Sequence, residues 1–357
     1  MKSFFTALAV LILSFALFAC GEDGGNDDTN TTTTSAANVA DNDADDAADN
    51  DDAIAGDAID FSGLGWPIDA LINERGELVV LYSSDPFTED ERAAVIWFDD
   101  TLKPIRQINA ELRFPHTLDS NGRELLISDS QNERLVFIDE QTFEADVVDF
   151  DDWELPNVWP NDADFTDDGN IIFSDLYNGT VIKMTRQGDL IWARDVVGAV
   201  DGENVPVGEL HDPDELPGGH LIFCLSATGR VVEVDADDNE VWSYGDNLVW
   251  PKSAQRLGNG NTLITDLFHI IEVNRAGEIV WEYVIPMDGG MNAMRLADGT
   301  TLNGTNDISL ISDKGDVLWR LPDMRPSESW KDKAASVARQ EPDHRLLLLK
   351  SIGYLGG

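Results

Sequence analysis

The sequence predicts an all-β protein, a six-bladed β-propeller of four-stranded blades that occupies residues 61–324. Three observations carry this reading. First, one pattern recurs six times. It opens as WPIDALINERGELVVLY from Trp66, FPHTLDSNGRELLISD from Phe114, WPNDADFTDDGNIIFSD from Trp159, ELHDPDELPGGHLIFCL from Glu209, WPKSAQRLGNGNTLITD from Trp250 and GGMNAMRLADGTTLNGT from Gly289, with starts 48, 45, 50, 41 and 39 residues apart. Second, each unit is built from short Val-, Ile- and Leu-rich runs bounded by Gly, Asp or Asn. The N-G, D-G and A-G pairs among them supply the positive φ that tight hairpins require. Third, most units end in a fourth run that contains Trp, as in TVIKMTRQGDLIWA, RVVEVDADDNEVWSY, IIEVNRAGEIVWEY and SLISDKGDVLWRL. Four short strands per unit of about 40–50 residues, six times over, is the arithmetic of a propeller. A β-sandwich has no reason to hold this register across six units, and a linear solenoid would have shorter rungs and no recurring Trp.

Within a unit the elements follow in order. Pro67, Pro115, Pro160 and Pro251 stand just before the first strand. Proline cannot donate to a sheet ladder and so belongs where the chain crosses from one blade to the next. The second run is the most apolar, and Cys224 lies in one of these (LIFCLS) as a buried core thiol. Trp192, Trp242, Trp281 and Trp319 in the fourth runs are expected to wedge between blades.

The ends of the chain read differently. Lys2 and the apolar run Phe4–Phe18, closing on Leu17-Phe18-Ala19-Cys20, have the layout of a secretory signal, and the run is short for a spanning helix. The last four residues resemble the lipobox of bacterial lipoproteins, although Phe18 is bulkier than the residue usual at its place. That resemblance implies lipidation of Cys20 and a membrane anchor in the cell envelope. The absence of Asp after the Cys points by the same analogy to the outer membrane. Residues 21–60 hold thirteen acids and no base, with almost nothing to bury, and are expected to form a disordered acidic linker. The tail 325–357 leaves the repeat: SESWKDKAASVAR reads as helix, and DHRLLLLKSIGYLGG follows Pro342.

Charge excludes one class of partner. The chain carries 68 acids against 24 Lys and Arg, and the part from residue 61 onward still holds 55 acids against 23 bases. Such a surface repels nucleic acid and anionic lipid headgroups. The expected partners are a small anionic substrate or an envelope protein, and the chain is expected to act as a monomer.

In a propeller the first strands line a central channel, so the repeat register places side chains at its mouth. Just after the W-P position stand Ile68, His116, Asn161, His211, Lys252 and Met291. One residue further come Asp69, Thr117, Asp162, Asp212, Ser253 and Asn292. Two of the five histidines thus share one ring, beside Lys252, with Arg256 and Arg295 four residues after the first column in blades five and six. Imidazole and cationic groups in a concave mouth suit an anion such as a sulfate or phosphate ester. The same polar residues would equally serve to bind water and neighbouring blades. His116 and His211 with Asp162 and Asp212 could supply mixed metal ligands, but no short-range metal spacing is present. Neither a metal nor a cofactor is expected.

PKSAQRLGNGNTLITD followed by IIEVNRAGEIVWEY resembles a blade of the bacterial arylsulfotransferases, and HDPDELPGGHLIF is similar to their His-Asp blade openings. The resemblance implies a channel histidine, His211 or His116, that takes a sulfuryl group from an aryl sulfate and passes it to a phenol. Lys252, Arg256, Asn161 and Arg295 would then bind the substrate. The chain departs from the family where Asn161, Lys252 and Met291 fill blade openings that often carry histidine. Two further readings stand beside this one. The first is a non-catalytic binding or scaffold propeller. The second is a quinoprotein-type dehydrogenase, which lacks here an obvious set of calcium carboxylates with a stacking Trp.

Overall fold

The computed structural model describes residues 59–322, except 85–90, 151–152, 154, 156, 177, 197–209, 287–288 and 305–306. The leader with Cys20, the linker up to residue 58 and the tail 325–357 lie outside the described residues.

Among the described residues, twenty-four strands form six antiparallel four-stranded sheets, each a meander in sequence order. Blade 1 is β1 (Pro67–Ile72), β2 (Leu78–Tyr82), β3 (Ala94–Phe98) and β4 (Pro104–Ile108). Blade 2 is β5 (Pro115–Ser120), β6 (Glu124–Asp129), β7 (Arg134–Asp139) and β8 (Ala145–Asp149). Blade 3 is β9 (Pro160–Phe165), β10 (Ile171–Asp175), β11 (Thr180–Met184) and β12 (Leu190–Arg194). Blade 4 is β13 (Leu210–Leu216), β14 (His220–Leu225), β15 (Arg230–Val234) and β16 (Glu240–Tyr244). Blade 5 is β17 (Ser253–Arg256), β18 (Thr262–Thr265), β19 (His269–Val273) and β20 (Ile279–Val284). Blade 6 is β21 (Ala293–Arg295), β22 (Thr301–Asn303), β23 (Ser309–Ile311) and β24 (Val317–Arg320). First strands of neighbouring blades pack against one another, and β1 meets β22 to close the ring.

The hydrophobic core sits in the seams. A separate cluster fills each one, for example Phe137, Phe173 and Ile182 between blades 2 and 3, and Ile222, Cys224 and Ile264 between blades 4 and 5. Both faces of a middle strand meet a neighbouring blade, which is why the second runs read as continuous apolar stretches rather than alternating ones. Cys224 is fully buried. Trp192, Trp242, Trp281 and Trp319 are half-buried against four of the seams, as the repeat predicts. Blades 1 and 2 carry Arg106 and Asp146 at the matching register, opposite Trp97 and Phe137. There Arg106 instead lies 3.4 Å over the Phe143 ring, a cation–π contact.

Recurring polar residues hold one blade to the next. Ser83 Oγ donates to the Pro115 carbonyl (2.9 Å), Ser130 Oγ to that of Pro160 (2.5 Å) and Ser226 Oγ to that of Pro251 (2.5 Å). The aspartates that close second strands accept backbone N–H groups from the incoming chain: Asp129 from Arg113 (2.7 Å) and Asp266 from Val249 (2.9 Å). The ring closes without exchange of a strand. Ile59 and Phe61 pack into the seam between blades 6 and 1 with Leu302, Ile308 and Leu321, so the folded part begins at the last residues of the expected linker. Gly65 lies so close to the Ser83 carbonyl that a Cβ there would collide with it.

Candidate functional site at the channel mouth

In four of the blades the backbone is bulged where the first-column residues stand. Pairing with the second strand breaks between Pro67 and Asp69, between Pro115 and Leu118, opposite Phe173 and Asp175, and between His211 and Asp214. A bulge turns successive side chains off the strict in-out alternation of a strand. Asp212 also has a positive φ of 49°, a conformation uncommon for a residue with a Cβ.

Three blades contribute to one hydrogen-bonded cluster, and a fourth faces it. Asp162 Oδ2 lies 3.0 Å from His211 Nδ1. On the other side of the ring, Lys252 Nζ lies 2.9 Å from His211 Nε2. An ammonium only donates, so Nε2 accepts and the proton of the neutral ring sits on Nδ1, donated to Asp162. Asn161 Nδ2 donates to the same carboxylate (2.9 Å) and lies 2.7 Å from His211 Nδ1, a contact that is not a hydrogen bond while Nδ1 carries the proton. His116 faces this group, with Nδ1 2.7 Å from Ser130 Oγ and its ring edge-on to Phe114 at 4.5 Å. Asn161, Asp162 and His211 are buried, while His116 and Lys252 keep some solvent contact. The space bounded by His116, Asp162, His211 and Lys252 with Thr117, Asp212, Ser253, Met291 and Asn292 is about the size of one water molecule.

The electrostatics follow from burial opposed by neighbours. Desolvation pushes Lys252 down to about 8, against the pull of Asp162. It pushes His116 down to about 4, where Asp162 favours the charged ring and His211 and Lys252 oppose it. Burial alone would raise Asp162, but the charge and hydrogen bond of His211, with the charge of His116, hold it below the usual carboxylate range. The mouth is therefore an ionised carboxylate, an oriented imidazole and a lysine poised near neutrality.

The second column does a different task. Asp69 Oδ2 accepts the Leu118 N–H (2.9 Å), Thr117 Oγ1 that of Ala163 (3.0 Å), Asp162 Oδ2 that of Asp212 (3.1 Å) and Asp212 Oδ2 that of Ala254 (2.7 Å). Asn292 Nδ2 donates to Asp69 Oδ1 (2.8 Å) across the closing seam. Each of these five clasps the first strand of the next blade, through its backbone or, for Asn292, through a side chain, whereas Ser253 Oγ bonds Thr265 within its own blade. Asp162 and Asp212, weighed in the sequence as metal ligands, are two of these clasps. Among the described residues no group of three or more His, Cys, Asp or Glu converges as a metal site.

The structure brings His211, His116, Asn161 and Lys252 together and does not bring Arg256 or Arg295 to them. Arg256 stands four residues beyond Lys252, about 13 Å along the strand direction. It pairs with Glu233 (2.7 Å) and lies 4.7 Å over Trp242. Arg295 pairs with Glu272 (3.0 Å) and lies 4.6 Å over Trp281. Both arginines bind blade to blade. A further layer went unread in the sequence: three residues after the first column stand Leu71, Asp119, Asp164, Asp214, Gln255 and Met294. Desolvation raises Asp119 and Asp214 to about 6, and Asp164 well above its usual range with Asp119, Asp212 and Asp214 adding repulsion. The repeat register that located the mouth would have located this layer too.

No family model matches the chain, and neither does any curated protein. Solved structures do. A catalytically inactive variant of virginiamycin B lyase from Staphylococcus aureus, solved with quinupristin, is 10% identical with a TM-score of 0.51, over 73% of this chain and 85% of that one. A streptogramin B lyase structure is 12% identical with a TM-score of 0.51, over 74% and 85%. A protein from Bacteroides fragilis, provisionally assigned as a 6-phosphogluconolactonase, is 14% identical with a TM-score of 0.47, over 71% and 83%. At such identities the likeness is one of fold, and the chain is a six-bladed β-propeller that shares its architecture with the two lyase structures.

Proposed function

We propose that the channel mouth is an anion site at which His211 acts as a nucleophile in sulfuryl transfer, from an aryl sulfate to a phenol. The observation that carries this reading is the Asp162–His211–Lys252 relay. Asp162 holds the Nδ1–H tautomer, which leaves the Nε2 lone pair directed into the mouth, and stabilises the imidazolium that forms on attack. The Lys252 ammonium now occupies that lone pair. Because the free space is only about one water in size, an entering sulfate ester must draw Lys252 off Nε2 and onto its own oxygens. The Nε2 lone pair then forms an N–S bond as the S–O bond to the aryl group breaks, and the electron pair leaves on the aryl oxygen. A phenol oxygen next takes the sulfuryl group as the N–S bond breaks, its proton passes to the departed aryl oxide or to solvent, and His211 returns to its starting form. His116 is held neutral and can donate or accept a hydrogen bond without adding charge. Arg256 and Arg295 have no part in this step.

A chain with Cys20 lipidated would present this mouth from the cell envelope, which is the setting the signal-like leader suggests. The test is to treat the full chain with 4-nitrophenyl sulfate without acceptor, quench at alkaline pH and map the peptides by mass spectrometry. The reading expects a sulfuryl group on His211, absent from His211→Ala. A folded chain with no adduct on any histidine would reduce the mouth to a non-catalytic anion-binding or scaffold site.

A further inference from the structure

The same relay has a second nucleophile. We propose that Lys252 is a reactive amine, activated by proton transfer to His211, which captures a small aldehyde or ketone at the channel mouth as an imine. The inference concerns the amine alone and does not rest on sulfuryl transfer.

The geometry is a carboxylate–imidazole–amine chain: Asp162 Oδ2 to His211 Nδ1 at 3.0 Å, then His211 Nε2 to Lys252 Nζ at 2.9 Å. The order of groups is that of a catalytic triad with the hydroxyl replaced by an amine. The chain of bonds specifies where the proton goes. Lys252 gives one to Nε2, and the imidazolium is stabilised by the ionised Asp162. The amine lone pair then forms a C–N bond to the carbonyl carbon, while the π pair moves to oxygen and takes the proton back from His211. Loss of water from the carbinolamine leaves the imine. No oxidant or co-reactant is needed.

The surroundings favour an unprotonated amine. Groups facing Lys252 are Asp162 from β9, His211 and Asp212 from β13, His116 from β5 and Cys224 from β14. The Trp250 ring stands 5.6 Å from Nζ. Of these, Asp162 and, to a smaller extent, Cys224 favour the ammonium, and burial outweighs them. The remaining lysines among the described residues are differently placed. Lys183 is held by Asp168 (2.8 Å) and Glu215 (2.5 Å), and Lys103 and Lys314 are exposed. At pH 7 an amine titrating near 8 is about one-tenth unprotonated, against about one part in 2,500 for an ordinary lysine. Because the free space is about one water in size, a small carbonyl compound such as formaldehyde reaches Nζ with the least rearrangement.

The test is reductive methylation of the full chain with formaldehyde and cyanoborohydride at pH 7, read lysine by lysine in peptide mass spectra. Lys252 is expected to react at least about tenfold faster than Lys103 and Lys314, with its rate rising through about pH 8. His211→Gln keeps a hydrogen-bond acceptor beside Nζ but cannot take up its proton. In that variant, shown to be folded by circular dichroism, the Lys252 rate should fall about tenfold or more while Lys103 and Lys314 are unchanged. Lys252 reacting no faster than the exposed lysines would overturn the proposal. So would an undiminished Lys252 rate in His211→Gln, which would reveal a merely desolvated amine.

Discussion

Asp119→Asn should stabilise the protein at alkaline pH and do almost nothing in acid. Asp119 stands in the carboxylate layer below the mouth, and desolvation raises it from 3.8 to about 6. The folded state therefore keeps a proton that the unfolded state releases between about pH 4 and 6. Stability falls as pH rises through that window and the full penalty is present above it. Two units correspond to about 3 kcal/mol, and partial solvent contact in the channel reduces this to about 2–3 kcal/mol. Asparagine keeps a carbonyl oxygen for the Phe165 N–H, which Asp119 Oδ2 accepts at 2.8 Å. Urea melts of the full chain and the variant at pH 4 and pH 8 are the assay. The expected gain at pH 8 is about 2–3 kcal/mol, or on the order of 5–10 °C in Tm, with no gain at pH 4. A variant destabilised at pH 8, or equally affected at both pH values, would refute the picture of a crowded, desolvated carboxylate layer.

Three other outcomes follow from the geometry. His116, held down to about 4 against an ordinary 6.5, makes the folded state resist a proton the unfolded state takes up. Stability should decline by about 3 kcal/mol as pH falls from 6.5 to 4, and His116→Gln should flatten that limb of the pH–stability curve. Arg256→Gln should cost about 1–3 kcal/mol in urea melts, because buried Glu233 loses one of its partners, while any aryl sulfate turnover stays unchanged. Gly65→Ala should cost about 1–3 kcal/mol through collision with the Ser83 carbonyl, leaving the pH dependence of stability unaltered.

The architecture was readable because a propeller writes its geometry into the chain six times. The prolines before first strands, the Gly-bearing turns and the fourth-strand tryptophans recur at fixed offsets, and each offset maps to one place in a blade. The mouth was readable in part for the same reason. His116, Asn161, His211 and Lys252 share a register position, and the ring brings that position to one axis. Arg256 and Arg295 share a register position too, but a rise of about 3.3 Å per residue carries them away from the mouth. There Glu233, Glu272 and two seam tryptophans engage them. The clasping role of Asp69, Thr117 and Asp212 was hidden, since their partners are backbone N–H groups and carry no sequence signature. Asp162 does both jobs at once, accepting the Asp212 N–H and orienting His211. Nothing in its residue type distinguishes the second job from the first.

The most direct test of His211 as a nucleophile is acceptor-dependent turnover of 4-nitrophenyl sulfate by the full chain. The account predicts steady release of 4-nitrophenolate only when a phenol is present, at most one equivalent per chain without it, and neither in His211→Ala. Release that persists undiminished in folded His211→Ala, or no release with any phenol tried, would contradict it.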